Sequence, residues 1–353
     1  MDFDLTEDRQ MLSDTLTRYL KDKYPIETRT KVAYEAPFHA PAQWDALAEL
    51  GALFALAPEE AGGFGGTGFD ISVVFEALGG ALCPEPILGA LQASRLLTSA
   101  EADQEALLSG ATKYAVGIGE LEAPYELESI QAEARAAGSD YQVSGRKSVV
   151  YGGQVADIFL VAARLDGELA VFEVSAADAS VTGFGMIDGG GAAELVLEDT
   201  PARLILKDAE AALEDAMNAG VVALCAEAVG AMDGRKVMKL EYLRTRKEVG
   251  VPIGKFKVLQ HRAVDMLTEI EQARSITIKA AAELGGPDAA RYASMAKNLI
   301  GRAGRLIAEE AIQMHGGIAM TWEYPGSHYA KRLIMIDAQL GDTDYHLSRV
   351  MAA

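Results

Sequence analysis

The stretch MIDAQLGDTDYHLS, Met335–Ser348, sets Asp337, Asp342 and Asp344 with His346 around Gly341. Carboxylates and an imidazole at that spacing are the residue types of proton abstraction and return. The competing reading is structural: Asp342 or Thr343 caps a helix that starts there, and Asp337, Asp344 and His346 support or solvate it. A second stretch, RKEVGVPIGKFKVLQHR (Arg246–Arg262), puts a guanidinium at the end of one expected helix. After a break at Gly250, Pro252 and Gly254 come Lys255, Phe256 and Lys257 at the start of the next. An arginine can fork onto a phosphate, and a helix start adds backbone donors. The third, QMHGGIAMTWEYP, follows Gln313 with Gly316 and Gly317, a pair that either lets a ligand approach bare backbone or caps a helix.

The elements that must position these groups change character along the chain. Leu12, Leu16, Tyr19 and Leu20 share one helical stripe, and Trp44, Leu47 and Leu50 another entered through Pro41, so residues 1–112 read as an N-terminal helical domain. PEEAGGFGGTGFD (Pro58–Asp70) follows no expected strand; a flexible loop between helices suits it better than a dinucleotide fingerprint. In residues 113–206 short apolar runs replace the helical period. DIFLVAA and ELAVFEV flank Asp166-Gly167, a hairpin signal, and ELVLE adds a strand, so a small β domain of sandwich or barrel type is expected. From 207 to 353 helices return (Ala211–Thr245, Lys257–Leu284, Asp288–Met314), giving a C-terminal helical bundle. The fold class is therefore α+β. The alanine-rich helices suit close packing, either inside the bundle or against a second subunit.

Composition narrows the partners. Fifty-two acidic against 32 basic residues give a net charge of −20, which repels nucleic acid and anionic lipid. Cys83 and Cys225 are the only cysteines and have no zinc-type spacing, so neither a metal site nor a disulfide framework is expected. The acidic opening MDFDLTEDRQ is unlike a signal peptide, and no run of 18 apolar residues occurs; a soluble, cytoplasmic protein is expected.

Taken in order, several motifs resemble the acyl-CoA dehydrogenase family, flavoproteins that oxidise acyl-CoA thioesters. FDLTEDRQMLSDTLTRYL resembles the opening helix of that family, and WDALAELGALFALAPEEAGGFGG its tryptophan-to-glycine loop. VSGRKSVVYGGQVADIFLVAAR is similar to its β-domain segment, RKEVGVPIGKF to its Arg-x-x-Phe-Gly turn and QMHGG to its Gln-x-x-Gly-Gly turn. The resemblance covers essentially the whole chain and implies helical domain, β domain and four-helix bundle. It also implies an FAD shared across a subunit interface, the flavin on the β domain of one chain and the ADP half on the helical domain of its neighbour. On that analogy Arg246 meets the pyrophosphate, and Phe256, Gln313, Gly316 and Gly317 line the adenosine side. Glu248 and Val249 depart from the family, which has Gln or Thr and then Phe there.

Other departures bear on the reaction, in which a glutamate takes a proton from Cα while Cβ gives hydride to the flavin. Leu340 stands at the common position of that glutamate. The alternative position, on the first helix of the C-terminal domain, is Gly220, and Val221 replaces the arginine beside it. Where the family has Trp-Ile-Thr against the flavin this chain has Val149, Val150 and Tyr151, and GIGELEAPYELESI replaces its flavin-binding stretch. No catalytic residue is therefore assigned. The expectation is a non-catalytic subunit of a heterotetramer that completes the FAD site of a catalytic partner. Acyl-CoA would be bound mainly by that partner, and an electron-transfer flavoprotein would be the acceptor. Two alternatives stand beside it: a self-sufficient homo-oligomeric dehydrogenase with Asp342 or Glu227 as a relocated base, and a flavin-free scaffold or acyl-CoA-binding protein of the same fold.

Overall fold

The structure, a computed structural model, describes residues 5–352; the first residues of the opening motif, Phe3 and Asp4, lie outside them. The chain packs as two compact units, one built from residues up to Leu12, Glu27–Ile71 and Pro84–Gly220, the other from Ser13–Ile26, Ser72–Cys83 and the chain from Val221 on. Element order is as expected: N-terminal helices, a middle β domain and a C-terminal helical domain.

The N-terminal helices are α1 (Glu7–Lys23), α2 (Ile26–Tyr34), α3 (Pro41–Glu49), α4 (Gly68–Ala81), α5 (Ile87–Ser99) and α6 (Glu105–Leu108). Proline opens α3, where its missing N–H costs nothing. That helix buries Trp44, whose indole Nε1–H donates to the Gly110 carbonyl at 2.8 Å. The glycine-rich stretch before α4 lies between helices but is held, not flexible. Backbone bonds from Gly63 to Pro58, Gly65 to Ala57 and Gly66 to Ala55 fold it back on itself. A Cβ at Gly63 would lie 2.1 Å from the Ala57 carbonyl oxygen. Glycine is present there for close backbone approach, a role composition alone does not separate from mobility.

Seven strands follow: β1 (Tyr114–Gly117), β2 (Glu133–Ala137), β3 (Asp140–Tyr151), β4 (Ile158–Leu165), β5 (Glu168–Ser175), β6 (Ser180–Gly185) and β7 (Gly191–Leu206). Asp166 and Gly167 both have positive φ, 54° and 91°, and join β4 to β5 with Leu165 opposite Glu168, the geometry of a two-residue primed turn. β5 also pairs with β7, so β4, β2, β3, β7 and β5 close into a ring, with β1 added on β4 and β6 on β7. Closure removes the open edges that a sheet rich in Val, Leu and Phe would otherwise expose. Phe159 through Ala163 are all fully buried. Alternate residues fill the barrel, and α5 covers the outer side of β1, where Gly89 lies against the Tyr114 carbonyl.

The C-terminal helices are α7 (Glu210–Thr245), α8 (Lys257–Glu283), α9 (Ala289–His315), α10 (Pro325–Ala338) and α11 (Thr343–Ala352), with a two-strand ribbon, β8 (Lys247–Glu248) and β9 (Val251–Pro252), between α7 and α8. Among the described residues α7 alone is long and apolar enough to span a bilayer, but 94% of that window is buried inside the protein, which makes it a core helix. Small residues let the helices touch. A Cβ at Gly79 would lie 2.0 Å from the Glu227 carbonyl oxygen, and one at Gly230 2.1 Å from that of Glu76, so α4 and α7 cross backbone to backbone. On α9, Gly301 admits the Asp337 carboxylate and Thr343, and Gly304 faces Leu333. These small residues of α9 serve packing within the bundle.

Candidate functional site

The end of α7, the start of α8 and the end of α9 come together. Leu243, Ile253 and Ala263 form a small core there, with Gly254 against the Leu243 backbone. The Tyr242 hydroxyl donates to the His315 carbonyl at 3.1 Å, and the two rings lie 4.5 Å apart. Arg246, Phe256, Gln313, Gly316 and Gly317 are thereby gathered on this end, all exposed. Gly316 caps α9, its N–H donating to Ile312, at φ 68° and ψ −153°, a region only glycine enters readily. A Cβ at Gly316 or Gly317 would meet nothing within 4 Å, so the cap is also open backbone that a ligand can reach.

Arg246 follows α7 directly, and its Nε and Nη2 donate to Glu248 Oε1 at 3.1 and 2.6 Å. Both side chains are about half exposed, and solvent screening leaves such a pair weak. Between them Val249 and Gly250 turn the ribbon with φ 52° and 79°. The Val249 side chain is 93% exposed, so a β-branched residue sits in a left-handed conformation with no packing to hold it there.

The turn that opened the sequence reading is braced from inside. Lys297, fully buried, donates from Nζ to the carbonyls of Asp337 at 2.9 Å and Gly341 at 2.6 Å. Asn298 donates to the Thr343 carbonyl, and Thr343 Oγ1 donates to Asp337 Oδ1 at 2.8 Å. Asp342 Oδ1 accepts the Tyr345 N–H at 2.8 Å and so caps α11. His346 is buried between the Leu340 carbonyl and Ser294 Oγ. A carbonyl only accepts, so Nε2 carries the ring proton and Nδ1 accepts from the serine. Burial pushes the His346 imidazole down to about 4 despite its bond to Leu340. Gly341, at φ 99°, lies under the Tyr345 and His346 rings, where a Cβ has no room. Leu340 is half-buried, and Gly220 and Val221 are buried in α7. Glu227 holds Arg332 with both oxygens, at 2.6 and 2.8 Å.

The acyl-CoA dehydrogenase N-terminal domain family matches residues 6–104, and the acyl-CoA dehydrogenase C-terminal domain family matches residues 210–353. The chain is 31% identical over 333 residues to acyl-CoA dehydrogenase IpdE2 of Mycobacterium tuberculosis, covering 92% of this chain and 91% of that protein. The chain belongs to the acyl-CoA dehydrogenase family. Solved structures share its fold, two of them as follows. The ChsE4-ChsE5 complex from Mycobacterium tuberculosis superposes with a TM-score of 0.90 at 24% identity, covering 100% of this chain and 98% of that one. A variant of the Tcur3481-Tcur3483 steroid ACAD gives 0.89 at 26%, covering 98% and 97%.

The cofactor of the acyl-CoA dehydrogenase family is FAD, and the residues of the C-terminal helices and of the β domain differ in how they fit it. The α7–α9 end suits the ADP half: a solvent-facing guanidinium, an exposed amide and open glycine backbone are the donor set a pyrophosphate and adenosine require. In the β domain, Glu120 of the stretch GIGELEAPYELESI is committed elsewhere. Glu120 takes the buried Lys147 ammonium at 2.7 Å and the N–H groups of Gln131 and Ala132 at 2.8 and 3.0 Å. Burial lowers the Lys147 ammonium to about 8 against the pull of Glu120. Burial raises the Glu120 carboxyl, but Lys147 and the two N–H groups outweigh it and the net shift is down. Val149, at φ 52°, sits in a break of the β3–β7 ladder with an exposed aliphatic side chain.

Three arrangements escaped the sequence reading: the Glu120–Lys147 pair, the Glu227–Arg332 pair and the bracing Lys297. Their only trace in the sequence is a charge inside an otherwise apolar helical or strand period, as at Lys297 in YASMAKNLIG. Among the described residues no group of three or more His, Cys, Asp or Glu side chains could hold a metal ion. Cys225 is buried, and burial raises its thiol to about 12, so it stays protonated and unreactive.

Proposed function

We propose that this chain is the non-catalytic subunit of a heteromeric acyl-CoA dehydrogenase and completes the FAD site of a catalytic partner. One observation carries the reading: both family positions for the base are apolar, Leu340 and Gly220, and of the nearby carboxylates Asp337, Asp342 and Glu227 are engaged in structure while Asp344 faces solvent on α11. Asp337 accepts from Thr343, Asp342 caps α11, and Glu227 is held by Arg332. Losing a general base costs about a hundredfold to ten-thousandfold in rate, roughly 3 to 5 kcal/mol of barrier.

FAD, when bound, accepts the hydride from Cβ of the thioester. Toward it Arg246 would exchange Glu248 for the pyrophosphate, and Phe256, Gln313, Gly316 and Gly317 would receive the adenosine side. The acyl-CoA is then held mainly by the partner, which supplies the base, and electrons leave to an electron-transfer flavoprotein. The ChsE4-ChsE5 complex and the Tcur3481-Tcur3483 steroid ACAD are each named for two proteins, which supports a two-component assembly for this chain. Co-expression with a catalytic acyl-CoA dehydrogenase subunit, followed by purification on a tag carried by this chain, tests the reading. A mixed complex that oxidises acyl-CoA and loses FAD on Arg246→Ala is expected; full activity of this chain alone would overturn it.

A further inference from the structure

Arg235 on α7 is completely buried, and its Nε, Nη1 and Nη2 have no hydrogen-bond partner among the described residues. Its guanidinium lies 5.9 Å from the Tyr324 ring centre and against the Gly326 backbone. A cation–ring contact satisfies no N–H of the guanidinium, so its hydrogen-bonding capacity stays unmet. One turn on, Lys239 is 2% exposed, and among the described residues its ammonium hydrogen-bonds to the Met266 thioether at 2.7 Å, a weak acceptor. Burial, with Arg235 and Arg262 adding to it, pulls the Lys239 ammonium down to about 8 against Glu310. Glu310 acts on Lys239 through space, without a hydrogen bond to it, and Arg262 holds both its oxygens at 2.6 and 2.9 Å.

Two buried cations four residues apart on one helix therefore share an interior in which, among the described residues, neither is hydrogen-bonded to a carboxylate, in a chain with an excess of twenty negative charges. Leaving such groups uncompensated is among the costliest arrangements a core can hold. Tyr324 and Tyr242 flank His315, at 5.2 and 4.5 Å between ring centres, and His315 directly precedes the exposed Gly316-Gly317 turn. His315 Nδ1 donates to the Ala311 carbonyl, while Nε2 has no partner among the described residues.

We propose that Arg235 and Lys239 form a buried oxyanion site beneath this turn, which takes a small carboxylate or phosphate. The site is separate from the surface guanidinium of Arg246 and does not rest on the heteromeric reading. Two N–H pairs of the Arg235 fork and the Lys239 ammonium supply the charge-assisted donors, and the aromatic layer of Tyr242, His315 and Tyr324 excludes water from the bound ion.

The test is thermal unfolding of the purified full chain, in whatever assembly it forms, with inorganic phosphate or acetate at an ionic strength held constant with chloride. Wild type, Arg235→Met and Arg246→Ala are compared. Without added anion, Arg235→Met is expected to unfold about 3 °C above wild type, because a buried charge with no partner has been removed. At tenfold over its Kd, one of the anions raises the wild-type Tm by about 3 °C, saturably. Arg246→Ala keeps that rise and Arg235→Met loses it. A response to phosphate alone points to a phosphate ligand, and one to acetate points to a carboxylate. Equal responses in wild type and Arg235→Met, or no saturable response to either anion, overturn the site. Should Arg235→Met fail to fold, Lys239→Met takes its place, with 31P line broadening or acetate 13C broadening by the wild-type chain as the direct reading of binding.

Discussion

Glu227 separates the structural account from the rival in which this chain carries its own relocated base. Its carboxylate and the Arg332 guanidinium are 9% and 12% exposed and joined by two bonds of 2.6 and 2.8 Å. Glu227→Ala leaves a nearly buried guanidinium without its counter-charge, which costs about 3 to 5 kcal/mol. For a unit of this size about 2 to 4 °C is lost per kcal/mol, so Tm falls by about 6 to 20 °C. Arg332→Leu alone strands the carboxylate and costs a similar amount. Replacing both by leucine removes the stranded charge in either direction and recovers most of the loss, a coupling of roughly 2 kcal/mol or more in a double-mutant cycle. The cycle is read by urea unfolding, alongside turnover of the mixed complex per folded protein. The reasoning fails if each single variant costs under about 1 kcal/mol while turnover falls a hundredfold, since that is the signature of a base and not of a brace.

Asp342→Ala should cost about 1 kcal/mol through loss of the α11 cap and leave turnover of the complex unchanged; a hundredfold fall in turnover would contradict the assignment. Val249→Asn should stabilise the chain by about 1 kcal/mol, because asparagine accepts the positive φ of the ribbon turn and no packing is lost; a lower denaturation midpoint would show that the valine has a function there. His346, depressed to about 4 by burial, gives a signed pH effect. The unfolded histidine takes up a proton as pH falls through about 6.5, and the folded one only near 4. Its contribution is complete above pH 6.5 and is lost between 6.5 and 4, with a slope of up to about 1.4 kcal/mol per pH unit. His346→Gln should flatten that interval of the stability profile, and an unchanged slope would place the titration elsewhere.

Local signals were readable where they depend on neighbours in sequence. The apolar period of α8 and α9 set their bounds to within a residue or two, and Asp166-Gly167 announced its hairpin through the positive φ values that pair can adopt. Barrel closure was not readable, because it depends on β5 pairing with both β4 and β7. The same holds for the braces. Lys297 reaches 44 residues ahead to the Gly341 carbonyl, and Glu227 reaches 105 ahead to Arg332. From sequence each of these is only a charge on a helix. The glycines of Pro58–Asp70 show the converse error: a composition that suggests mobility serves backbone contact instead. At the candidate site, the surface guanidinium of Arg246 and the glycine cap at Gly316-Gly317 were legible, whereas the Tyr242–His315 contact that joins them was not.

The most direct test of the central claim is the FAD content and visible absorption of this chain purified alone and as a mixed complex with a catalytic partner. The account predicts flavin in the mixed complex, at about one FAD per two chains, bleached by an acyl-CoA and lost on Arg246→Ala. A yellow homo-oligomer of this chain that bleaches with an acyl-CoA on its own would contradict it.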